Sequence, residues 1–151
     1  MSEAAWLFDV NALIALISPG HVHHERMHHW FKVNSSKGWA TCPLTENGTV
    51  RVLSQAVLAA RPNHAFEVIK VLNHWKRSQS KYYRFWTDAV SLTDDSLFRL
   101  EYITNPSLIT DAYLLGLAAK HGARLVSFDK SLPWQAIQNG TARLIETPLL
   151  Q

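Results

Sequence analysis

The sequence predicts an α/β domain with a mainly parallel sheet covered by helices on both faces, and three observations lead there. Short apolar runs of strand length alternate with segments of helical periodicity, which calls for crossover connections between parallel strands. A chain of 151 residues suits one domain, residues 1–151, and at that size a core needs neither disulfides nor a structural metal. Apolar residues make up 47% and charged residues 18%, a balance that excludes global disorder. Cys42 is the single cysteine and has no internal partner. No basic leader precedes an apolar stretch, and no apolar run approaches the roughly 20 residues that cross a bilayer, so no membrane association and a cytoplasmic location are expected.

The elements follow in order. Ala4 to Phe8 is an apolar run ending at Asp9, and Asn11 opens a helix through Ile17, closed by Pro19-Gly20. Residues 21–34 carry Val22, Met27, Trp30 and Phe31 as the apolar stripe of a second helix. Gly38 to Thr41 is a short strand stopped by Pro43. Leu44 to Leu58, with Val50, Val52, Leu53 and Val57, and Ala65 to Trp75, with Phe66, Ile69, Val71 and Leu72, read as two antiparallel neighbouring helices. Residues 83–92 carry no clear period. Thr110 caps a helix through Ala119, Gly122 ends it, and Leu125 to Phe128 and Ala142 to Ile145 are the last strands.

In such a sheet, ligands sit beyond the carboxyl ends of the strands, and acids stand there. Asp9 follows the first strand and Asp129 follows the Leu125 strand. Glu46 and Asp111 each lie in the first turn of a helix that starts at the same edge. Each acid has a local reading as well. Glu46 and Asp111 suit helix N-termini, Asp9 with Asn11 suits an Asx turn, and Asp129-Lys130 suits a polar turn. Together they predict a tight cluster of four like charges, which repel and raise one another's pKa unless a cation neutralises them. Oxygen-only ligation points to Mg²⁺ or Mn²⁺.

Charge is uneven along the chain. Residues 61–84 hold six Lys/Arg (Arg61, Lys70, Lys76, Arg77, Lys81, Arg84) against one acid, interleaved or followed by Trp75, Tyr82, Tyr83 and Trp86. That mixture suits phosphate contacts and base stacking, or a solvated helix face with core-facing aromatics. Without the four acids the chain has 15 basic against 8 acidic residues, so its remaining surface favours a polyanion. His21, His23, His24, His28 and His29 form a cluster with His24 and His28 at i,i+4 spacing. With no cysteine nearby and no third ligand, surface histidines are the default over a zinc or nickel site.

Four segments resemble the acidic motifs of PIN-domain ribonucleases, the VapC toxins above all. They are Leu7-Phe8-Asp9-Val10-Asn11-Ala12-Leu13-Ile14, Pro43-Leu44-Thr45-Glu46-Asn47-Gly48, Ile109-Thr110-Asp111-Ala112-Tyr113-Leu114-Leu115 and Leu125-Val126-Ser127-Phe128-Asp129-Lys130. The likeness runs from residue 4 to about residue 145. It implies a PIN-like three-layer α/β/α fold and an Mg/Mn-dependent endoribonuclease acting as the toxin of a bacterial VapBC pair. Asp9, Glu46, Asp111 and Asp129 would then be catalytic and metal-holding, Asn11 and Ser127 would orient them, and Lys76, Arg77, Lys81 and Arg84 would bind RNA. A homodimer and a VapB antitoxin are the implied partners. The alternative is a non-catalytic RNA-binding or partner-binding module on the same fold. A haloacid-dehalogenase-like phosphatase needs a second Asp two residues after the first, where this chain has Asn11.

Overall fold

A computed structural model describes residues 4–56 and 64–149. The order is β1 (Trp6–Phe8), α1 (Val10–Ile17), α2 (His24–Asn34), β2 (Trp39–Thr41), α3 (Pro43–Ala56), α4 (His64–Ser78), β3 (Tyr83–Phe85), α5 (Ile109–Lys120), β4 (Arg124–Val126) and β5 (Ile145–Glu146). The five strands pair in parallel in the order β3-β2-β1-β4-β5. Chain direction through the sheet reverses between β1 and β4, so the crevice at their carboxyl ends is a topological switch point.

Strand periodicity builds the layers. Trp6, Phe8, Trp39 and Val126 enter one buried cluster with α1 and α2, while Leu7, Ala40 and Leu125 enter another with α5. Alternate residues of each strand therefore serve opposite faces, as a pleated strand requires. The first cluster is rich in rings: Phe8 stacks on Trp39 at 5.2 Å, and Trp30 meets Trp6 edge-on at 5.0 Å. Gly48 lets α3 approach α1 closely, since a Cβ there would lie 2.7 Å from Val10 Cγ2. That contact sets the start of α1, next to Asp9, against α3 two residues after Glu46.

Several expectations are corrected. Residues 83–85, read as irregular, form the edge strand β3, whose small side-chain burial hides its period. Val22 precedes α2 and is 86% exposed. On α4 the inward positions are Val68 and Leu72, whereas Phe66, Ile69 and Val71 face outward. Thr110 does not cap α5: a 3₁₀ turn over Pro106–Leu108, itself capped by Asn105, runs straight into the helix and puts Thr110 inside its first turn. The last strand starts at Ile145, because Ala142–Leu144 form a 3₁₀ turn capped by Thr141. Val57, Leu58 and Arg61 lie outside the described residues. Among the described residues, no helix is long and apolar enough to cross a membrane.

Candidate active site

Asp9 occupies the switch point. It is the N-cap of α1, its Oδ1 accepts the Ala12 N–H at 2.8 Å, and it is only 7% exposed. Burial pushes its pKa up to about 6, helped by the charges of Asp111 and Asp129 and opposed by hydrogen bonds from Ser127 and Ala12. Asp111, half-buried in the first turn of α5, is raised by burial and by Asp129. Asp129 follows β4 in a tight turn where its Oδ1 accepts the Ser131 N–H at 2.8 Å and the Ser131 hydroxyl at 2.6 Å. Buried Ser127 links the group: its hydroxyl bonds the Asp9 carboxylate and accepts the Asp129 N–H at 3.0 Å. Three acids from three distant segments thus act on one another electrostatically.

Glu46 is held differently. Its Oε2 accepts the Thr41 hydroxyl at 2.8 Å and the Tyr83 hydroxyl at 3.2 Å, and pairs with Lys76 Nζ at 2.5 Å. The predicted tight cluster of four is therefore not formed. Among the described residues, no three His, Cys, Asp or Glu side chains converge closely enough to enclose a cation unaided. The reason lies in the partners: Lys76, Thr41 and Tyr83 bind Glu46 on the β2–β3 side, and Ser131 turns Asp129 into its own loop. The donor set still fits a hard divalent ion. All its atoms are oxygens, its charges disfavour one another, and an open set leaves positions for the waters Mg²⁺ retains.

Of the other predicted groups, Asn11 is exposed in the first turn of α1 and lines a cleft with His21, His23, Phe128 and Asp129. Lys76 is committed to Glu46 and lies over the Tyr83 and Phe85 rings. Arg84 Nη1 donates to the Tyr83 carbonyl at 2.9 Å, and Arg77 and Lys81 are exposed near the end of α4. The aromatics of this basic block serve the core. Trp75 meets Phe31 edge-on at 5.3 Å, and buried Trp86 stacks on His121 at 3.8 Å. Sequence reasoning missed Thr41 and Tyr83 as holders of Glu46; Thr41 at the carboxyl end of its strand was a readable signal, and Tyr83 was hidden with its strand.

The histidines resolve into a brace. His24 Nδ1 donates to the Ala15 carbonyl and His28 Nε2 to the Leu16 carbonyl, each at 2.7 Å. Carbonyls only accept, so those two nitrogens carry protons. They satisfy carbonyls at the open end of α1.

Relatives decide the family. No protein-family model matches the chain. Ribonuclease VapC44 of Mycobacterium tuberculosis is 36% identical over 143 residues, covering 93% of this chain and 97% of that protein. Ribonuclease VapC38 of the same organism is 42% identical over 123 residues, covering 82% of this chain and 84% of that protein. This chain belongs to the VapC family. Ribonuclease VapC39, also from Mycobacterium tuberculosis, agrees at 39% identity over 83% of this chain and 89% of its own length. Solved structures match the VapC fold. PAE2754 from Pyrobaculum aerophilum superposes with a TM-score of 0.54 at 20% identity, covering 85% of this chain and 77% of that one. A chain of FitAB bound to an IR36 DNA fragment superposes with a TM-score of 0.67 at 13% identity, covering 97% of both. At those identities the likeness concerns fold alone.

Proposed function

We propose that this VapC-family chain is a divalent-cation-dependent endoribonuclease, the toxin of a VapBC pair. Asp9, Asp111 and Asp129 would hold Mg²⁺ or Mn²⁺, with Glu46 as the fourth acid. One observation carries the reading: the Asp9 carboxyl is buried beside two further carboxylates, and its pKa is raised to about 6. Burial first, and the neighbouring acids second, disfavour the Asp9 carboxylate at the sheet edge where ligands bind, and a bound cation would relieve both. When bound, the ion supplies ionisation of an attacking water and stabilisation of the leaving oxygen of an RNA phosphodiester.

The chain's own groups do the positioning. Ser127 ties Asp9 to Asp129, the Ala12 N–H fixes the Asp9 carboxylate, and Ser131 sets the Asp129 rotamer. Lys76, Thr41 and Tyr83 keep Glu46 oriented at the other side of the edge. Arg77, Lys81 and Arg84 supply positive charge for the RNA backbone. Relatives named as VapC ribonucleases support a VapB-type antitoxin as partner and an RNA substrate, and the proposal extends to a homodimer in the bacterial cytoplasm.

The test is cleavage of total RNA by the purified chain with Mn²⁺ or with EDTA, followed by mapping of the new RNA ends. Discrete ends that vanish in EDTA and in Asp111→Asn are expected. Cleavage that survives both would overturn the cation site. RNA bound tightly but never cut would transfer the chain to the non-catalytic binding module.

A further inference from the structure

An acidic cation site repels the polyanion it must cut, so part of the substrate's affinity has to come from contacts other than charge. Beside Asp129 the structure holds such a surface. The Phe128 ring, between Ser127 and Asp129 in sequence, is only partly buried, and the His23 ring lies flat against it at 4.3 Å with 15° between planes. His21 completes the group, 5.6 Å from His23 and 6.5 Å from Phe128. With Asn11, Val22 and Asp129 these rings line an open cleft of about 430 Å³. Val22 stands 86% exposed at its rim.

The shelf is braced from below. The His23 N–H donates to His21 Nδ1 at 3.0 Å, the His24 N–H donates to the His21 carbonyl at 3.0 Å, and the His21 N–H donates to the Ser18 carbonyl at 3.1 Å. The His24 and His28 rings then pin the start of α2 to the end of α1. A short loop held at both ends presents its rings without ordering cost at the moment of binding. The contrast with the basic block is informative: Trp75 and Trp86 are consumed by the core, whereas the His23 stack opens into a cleft shared with an acid of the site.

We propose that the His23–Phe128 stack is a nucleobase subsite, on which an unpaired RNA base next to the scissile phosphate extends the stack over His23 while the exposed Asn11 carboxamide reads its edge. Flat rings accept any base face, and a carboxamide offers one donor and one acceptor side, so stacking gives affinity and Asn11 gives preference. The inference rests on the nuclease reading for its substrate and deepens it.

The experiment uses the full chain carrying Asp111→Asn, with a short single-stranded RNA holding 2-aminopurine at one position at a time. Fluorescence quenching at one position is expected, with binding weakened about tenfold to a hundredfold by His23→Ala and restored by His23→Tyr. The salt dependence of binding should stay unchanged, because no phosphate contact is lost. In chains retaining Asp111, His23→Ala should raise KM and leave kcat nearly alone. Equal binding and equal quenching in His23→Ala overturns the subsite while cleavage by the unaltered chain leaves the nuclease reading intact. Quenching that depends on His23 in a chain that never cuts RNA keeps the subsite and removes the nuclease. Failure of His23→Tyr to restore binding, at unchanged melting temperature, also rejects stacking.

Discussion

The two ends of the acidic edge are built on opposite electrostatic terms. On the β1–β4 side, Asp9 and Asp111 are pushed above the ordinary carboxyl range, chiefly by burial and further by neighbouring acid charge, from Asp111 and Asp129 on Asp9 and from Asp129 on Asp111. On the β2–β3 side, Glu46 meets a lysine and two hydroxyls at one oxygen. The first arrangement costs the folded chain stability and the second contributes it. Under the proposed cation site, Asp9 and Asp111 would be left unmatched for the ion, whereas Glu46 is matched within the chain. Glu46 is matched to Lys76 and stands in the first turn of α3.

Breaking the unmatched side has the largest expected effect. Asp111→Asn should lower RNA cleavage by more than about a hundredfold, the upper figure for groups that only orient metal ligands. Gel quantification of cleaved ends measures it, and near-normal cleavage would end the role of the α5 acid.

The same side should be destabilising when no cation is present. The folded pKa of Asp9, about 6, exceeds its ordinary 3.8, so the folded chain binds the extra proton and loses stability as pH rises from about 4 to 6. Above that window the full penalty stands, about 3 kcal/mol. Asp9→Asn retains an N-cap and removes the charge, so in EDTA it should raise the melting temperature at pH 7.5 and change it little at pH 4. Mn²⁺ should narrow the gap by stabilising only the unaltered chain. A lower melting temperature at pH 7.5 would show that the carboxylate is matched after all.

The matched side should respond in the other direction. Lys76→Met leaves Glu46 with its two hydroxyls but no counter-charge, and the half-buried pair predicts a loss of about 1–2 kcal/mol in urea unfolding. An unchanged midpoint would mean that Thr41 and Tyr83 suffice. The smallest effect is assigned to the exposed cations. Replacing Arg77 or Lys81 by Gln should reduce the salt slope of single-stranded RNA binding by about 0.7 per lost phosphate contact, with turnover unaffected. An unaltered slope would remove these residues from the RNA path.

Much of this architecture was legible from residue order. The run Trp6-Leu7-Phe8 before Asp9 and the run from Leu125 announce buried strands by composition, although the latter strand ends at Val126 and not at Phe128, and Asp9, Asp111 and Asp129 fall at strand or helix ends that topology carries to one edge. β3 was not legible, because an edge strand with half-exposed residues shows neither continuous apolarity nor clean alternation. The outward turn of Phe66, Ile69 and Val71 escaped for a related reason: an apolar residue on a helix does not say which face has a neighbour.

The sequence by itself determined the order of the elements other than β3, the layered class and the local seat of each acid, since these depend on periodicity and on residues a few positions apart. Only the tertiary structure decided which charges meet. Glu46 finds Lys76 and Tyr83 across 30 and 37 positions, and Asp9 finds Asp111 and Asp129 across more than 100. Pairings over such separations depend on strand order and side-chain reach, and no local pattern encodes either.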